Sequence, residues 1–101
     1  GVRANTKQLP CFTLWKNTGA AADGYVTGLE PGTNFPNPRT YEGRQGRVVK
    51  LAPGGKVVFQ VGLEIHHGAD QVQKAEQAIA ALQAGLTPQL CPQPQAPWCV
   101  L

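Results

Sequence analysis

Residues 47–66 read RVVKLAPGGKVVFQVGLEIH. Val57, Phe59, Val61, Leu63 and Ile65 alternate with Lys56, Val58, Gln60, Gly62, Glu64 and His66, which is the period of a half-buried strand. The run at 47–52 also has strand character, and Pro53-Gly54-Gly55 between the two is a strong turn signal. The stretch predicts an antiparallel hairpin of 47–52 and 56–66 with one buried face.

Toward the N-terminus, CFTLWKN (11–17) reads as another strand. Phe12 and Leu14 share one face, and Cys11, Thr13 and Trp15 share the other. A fourth strand, YVTGLE (25–30), is β-branched and aromatic at its start. Gly28 inside it signals a bulge or a close approach. A turn or short helical excursion, TGAAADG, joins these two. Residues 1–10 read as irregular.

Residues 31–46, PGTNFPNPRTYEGRQG, form a long loop in this reading, because three prolines forbid a regular ladder. A loop longer than about 12–15 residues in a compact domain is usually functional or disordered. Glu42 and Arg44 within it, and Arg47 just after it, read as solvated charges in weak surface pairs.

The period changes after His67. Val72, Ala75, Ile79 and Leu82 recur at helical spacing, predicting an amphipathic helix over about 70–84. Asp70 is the candidate cap, with Gln73 as its capping-box partner. Gly85 is the expected stop. The remainder, 85–101, is a Pro-rich tail that Trp98 either docks onto the body or leaves loose.

Composition narrows the function classes. The chain has 101 residues, twelve glycines, nine prolines and a net charge of +3. That length is one domain or part of one. The basic residues are dispersed, so no nucleic-acid stripe is formed. No apolar run approaches the ~20 residues of a membrane helix, and the reading places the chain in the cytoplasm. The three cysteines, Cys11, Cys91 and Cys99, are an odd set at irregular spacing. They read as reduced thiols, with a Cys91–Cys99 pairing as the alternative. Nothing has metal-ligand spacing, so neither metal nor cofactor is expected.

Four strands and one helix are half a sandwich, and their edges would be exposed. The chain, which contains no methionine, therefore reads as the C-terminal part of a larger domain. The partner for those edges is either the rest of that domain or a second copy of the chain.

The motif GLEPGTNFPNP (28–38), followed by RVVKLAPGGKVVFQVGLEI, resembles the galactose-mutarotase-like, aldose 1-epimerase superfamily, in an uncharacterised bacterial branch. The resemblance spans roughly 11–84. It implies a mainly β fold, the C-terminal part of an antiparallel β-sandwich over residues 1–84, with the helix near its end. It also implies a small-molecule sugar as ligand and Glu30 as the general base of anomer interconversion. Asn34 and Arg39 are candidates for hydrogen bonds to sugar hydroxyls. The acid histidines of such enzymes have no counterpart here: His66 and His67 follow the last strand and read as a solvated strand end. The isolated chain is accordingly expected to be inactive, and a non-catalytic carbohydrate-binding domain is the alternative. Read without the resemblance, Glu30 is a turn carboxylate pairing with Arg39 or Lys16. Trp15 is expected to pack in the core against the hairpin, with sugar stacking as its other possible role.

Overall fold

The computed structural model describes residues 1–100. Its elements are β1 (Val2–Ala4), β2 (Cys11–Lys16), a short 3-10 turn (Ala21–Asp23), β3 (Thr27–Gly32), α1 (Arg39–Arg44), β4 (Val61–Leu63) and α2 (Ala69–Gln83). The strands form two separate two-stranded antiparallel sheets, β1–β4 and β2–β3. The chain thus combines small antiparallel sheets with one main helix.

The β2–β3 ribbon is the longer sheet. Its register pairs Cys11 with Gly32, Thr13 with Glu30 and Trp15 with Gly28. Alternation in CFTLWK places Phe12 and Leu14 on the face opposite Thr13 and Trp15. Asn17 organises the connection: its Nδ2 donates to the Gly24 carbonyl at 3.2 Å, and its Oδ1 accepts from the Gly19 amide at 3.2 Å. β3 begins two residues later than the sequence suggests and runs on through Pro31, so Glu30 lies inside the strand rather than at its end.

The expected hairpin of 47–52 and 56–66 does not form. The turn at its centre does: the Gly55 amide donates to Ala52 at 2.8 Å. Beyond that turn only Val61–Leu63 is extended in a ladder, and its partner is β1, with Val2 opposite Leu63 and Ala4 opposite Val61. The face expected to be buried has no covering layer, and the 61–63 segment takes β1 as its partner in place of 47–52. Phe59, Val61, Leu63 and Ile65 are all exposed, Ile65 at 93 %. An isolated two-stranded hairpin with nothing over its apolar face is marginal in water. β4 is held instead by the Glu64 amide donating to the Gly1 carbonyl at 2.9 Å and by Arg3 Nε on Glu64 Oε1 at 2.8 Å.

α2 forms where the helical period places it, and Gly85, at φ +79°, ends it. Its start differs from expectation. Gly68 is the cap residue, and the Gln71 side chain, not the Asp70–Gln73 pair, reaches back to accept from the His67 amide at 3.0 Å.

Among the described residues the hydrophobic ones are mostly uncovered; Leu9 and Cys11 are the buried ones. The accessible surface is 8583 Å² and the radius of gyration 17.0 Å. A folded monomer of this mass exposes about 5,500 Å² and has a radius near 13 Å. The face of Phe12, Leu14 and Leu29 is among the surfaces left open, each of the three being 43–53 % exposed. No helix among the described residues is long and apolar enough to cross a membrane.

Candidate functional site

Glu30 stands on the face of the β2–β3 ribbon that carries Thr13 and Trp15, opposite Thr13. Its carboxylate is exposed, and it takes part in none of the ion pairs among the described residues, so the turn pairing with Arg39 or Lys16 is not seen. The close approach suggested at Gly28 is real and involves Glu30 itself. A Cβ built on Gly28 would collide with Glu30 Oε1. Residues two apart on a strand share a face, so the glycine gives the carboxylate room to lie back along the strand.

Asn34 is half-buried just past β3. Its Nδ2 donates to the Phe35 carbonyl at 2.8 Å, and its Oδ1 accepts from Thr33 Oγ1 at 3.2 Å. Arg39 is exposed at the first position of α1. None of the four clefts described is lined by Glu30, Asn34 or Arg39. A cleft of about 280 Å³ beside Arg47 is lined instead by Lys7, Gln8, Thr33 and Val49 among others.

The best-organised polar cluster was not expected from the sequence. Residues 39–44 form a short helix inside the supposed loop, flanked by Pro38 and Gly46. That turn carries Glu42 inward, where it has no accessible surface. Reading Glu42 and Arg47 as solvated loop charges is therefore wrong. Arg47 grips the carboxylate with both arms, Nε to Oε2 at 2.6 Å and a terminal nitrogen to Oε1 at 2.7 Å. Asn37 Nδ2 adds a bond at 2.7 Å and the Phe35 amide another at 3.2 Å. A buried charge is tolerated when paired and fully hydrogen-bonded. The hydrogen bonds from Arg47 are the main reason that the Glu42 carboxyl is held down to about 2, against the opposing effect of burial; Asn37 and Phe35 help. A carboxylate so held stays ionised at neutral pH and cannot accept protons there, so the cluster fastens the loop rather than doing acid–base work.

The same side chains clasp the tail. Arg47 donates to the Pro97 carbonyl at 2.7 Å, Asn37 to the Trp98 carbonyl at 2.9 Å, and the Tyr41 hydroxyl to the Cys99 carbonyl at 3.0 Å. The Val100 amide donates back to Asn37 Oδ1 at 3.2 Å. The Arg47 guanidinium lies 5.3 Å from the centre of the Phe35 ring. The tail therefore docks, and it does so through its main chain. In the sequence, the available signal was a proline and a glycine bracketing a six-residue turn with charges at both ends.

His66 lies three residues beyond β4, with Nε2 3.5 Å from Glu64 Oε2, and both His66 and His67 are exposed. The three cysteines are free thiols; Cys11 is buried, and that burial pushes its thiol up. No group of His, Cys, Asp and Glu suited to a metal ion occurs among the described residues.

A family model described as "Domain of unknown function (DUF4432)" matches residues 1–65. No curated protein and no solved structure matches the chain.

Proposed function

The chain belongs to the DUF4432 family; from the resemblance of its GLEPGTNFPNP motif we propose that it supplies the general base of an aldose 1-epimerase-like sugar site. Glu30 is the base. It takes the proton from the anomeric hydroxyl while an acid protonates the ring oxygen. The C1–O5 bond breaks, the C1 carbonyl turns, and closure from the other side gives the other anomer. The observation that supports the reading is Gly28 beneath the exposed Glu30 carboxylate: the side chain lies back along a regular strand in the space the glycine leaves, where it can meet a ligand. Asn34 and Arg39, on the segment that follows, would hydrogen-bond sugar hydroxyls.

The open apolar face of Phe12, Leu14 and Leu29 is where a second β-sheet of the same sandwich would pack, which would leave the Glu30 face to the ligand. A small base without its acid does little, and this chain's two histidines lie elsewhere, so the acid comes from outside residues 1–100 and the isolated chain does not turn over. That same observation favours the second reading, a carbohydrate-binding domain without catalysis.

The deciding experiment is NMR exchange spectroscopy of the α and β anomers of D-glucose and D-galactose in the presence of the full-length protein. The enzyme reading requires faster exchange with wild type and its loss in Glu30→Gln. Bound sugar with unchanged exchange in both proteins selects the binding domain.

A further inference from the structure

The face of the β2–β3 ribbon that carries Glu30 also carries a half-exposed aromatic residue. Directly paired residues on antiparallel strands project to the same side. The register therefore lines up Cys11, Thr13 and Trp15 with Gly32, Glu30 and Gly28 on one face. Trp15 stands across from Gly28, which has no side chain to cover it. Its indole is 50 % exposed. The Glu30 carboxylate occupies the space above that same glycine, so carboxylate and indole are neighbours on one face of the ribbon. The aliphatic residues of the ribbon, Leu14 and Leu29, lie on the opposite face with Phe12. The hairpin against which Trp15 was expected to pack does not form. Trp15 is thus on the polar side of its strand, beside the carboxylate and away from the apolar face.

We propose that Trp15 is the stacking wall of the sugar site, lying against the CH-bearing face of a pyranose while Glu30 meets its anomeric hydroxyl. The ring C–H groups of a pyranose are weakly positive and apolar, and the indole face is negative. Because the Glu30 carboxylate lies over Gly28, directly across from Trp15, a ring stacked on the indole presents its edge to the base. The inference rests on the sugar-site reading of Glu30 and adds to it the residue that fixes which face of the sugar is held. Trp15 contributes binding and orientation and takes no part in proton transfer.

The test is ¹⁹F NMR of the full-length protein labelled with 5-fluorotryptophan, with the Trp15 resonance assigned by its loss in Trp15→Phe. Titration with D-glucose or D-galactose is expected to move that resonance saturably, in wild type and in Glu30→Gln alike, because removing the base does not remove the wall. Trp15→Ala is expected to raise the dissociation constant about tenfold, the scale of one aromatic stacking contact, and Trp15→Phe to recover most of it. Saturation-transfer NMR detects sugar binding independently from the ligand side. Binding seen that way with an unmoved Trp15 resonance overturns the wall and leaves the base standing. Absence of binding by both measurements removes the sugar site itself, and the wall with it.

Discussion

Glu30 lies back along its own strand over Gly28, its carboxylate filling the volume that a side chain at Gly28 would need. The obstacle to a larger residue at 28 is thus the movable end of a side chain and not backbone. Gly28→Ala should leave the fold intact, with a stability change within about 0.5 kcal/mol, and displace the carboxylate. In anomer-exchange assays of the full-length protein it should lower kcat while the melting temperature holds. A large fall in melting temperature with kcat preserved would contradict this.

Glu30→Gln keeps the size of the side chain and removes its basicity. A positioned base contributes about 10²–10⁴-fold to a proton-transfer step. The expected result is a loss of kcat on that scale with sugar affinity changed little, read by exchange NMR for rate and by ligand titration for affinity.

The Glu42–Arg47 pair makes docking of the tail sensitive to acid. The folded-state value for Glu42, about 2, lies below its ordinary 4.5, so the unfolded chain takes up the proton first. The stabilisation from the pair is complete above pH 4.5 and is lost as pH falls from there toward 2. Glu64, lowered by its hydrogen bond from Arg3, shifts in the same direction. Amide exchange or Trp98 fluorescence followed through an acid titration should show the clasp opening in that window. In Glu42→Gln the transition should vanish from it.

Removing one member of the pair should cost more than removing both. Arg47→Met leaves the carboxylate buried without its main partner, whereas Glu42→Leu with Arg47→Met leaves no charge to satisfy. Thermal melts of the two variants should rank the single change as the less stable. A double variant less stable than the single one would show that the pair itself, rather than its completeness, holds the loop.

Asn37→Ala is a local probe. It removes the acceptor of the Val100 amide and the donor shared by the Trp98 carbonyl and Glu42 Oε1. Hydrogen exchange at Val100 should accelerate. Tyr41→Phe, which loses only the bond to Cys99, should cost about 1 kcal/mol and leave Val100 protected.

What could be read from the sequence was what is local. α2 follows from the spacing of Val72, Ala75, Ile79 and Leu82, and its stop from Gly85. β2 and most of β3 follow from alternation. The hairpin at 47–66 was misread because alternation shows that a strand could be half-buried and not that anything covers it. Glu42 was misread for a related reason. A charge in a Pro- and Gly-rich segment looks solvated until Phe35, Asn37 and Arg47 converge on it. Glu30 was legible as a residue on a strand, and Trp15 as an aromatic sharing a face with Thr13. Their nearness depends on register, which pairs residues about a dozen apart and is written in neither segment alone.

The clasp around Pro97, Trp98 and Cys99 grips three successive carbonyls and leaves the side chains to themselves. Such a grip ignores spelling and counts only phase. Exchanging residues along 92–96 should pass unnoticed, whereas deleting a single one would present each donor with the wrong carbonyl.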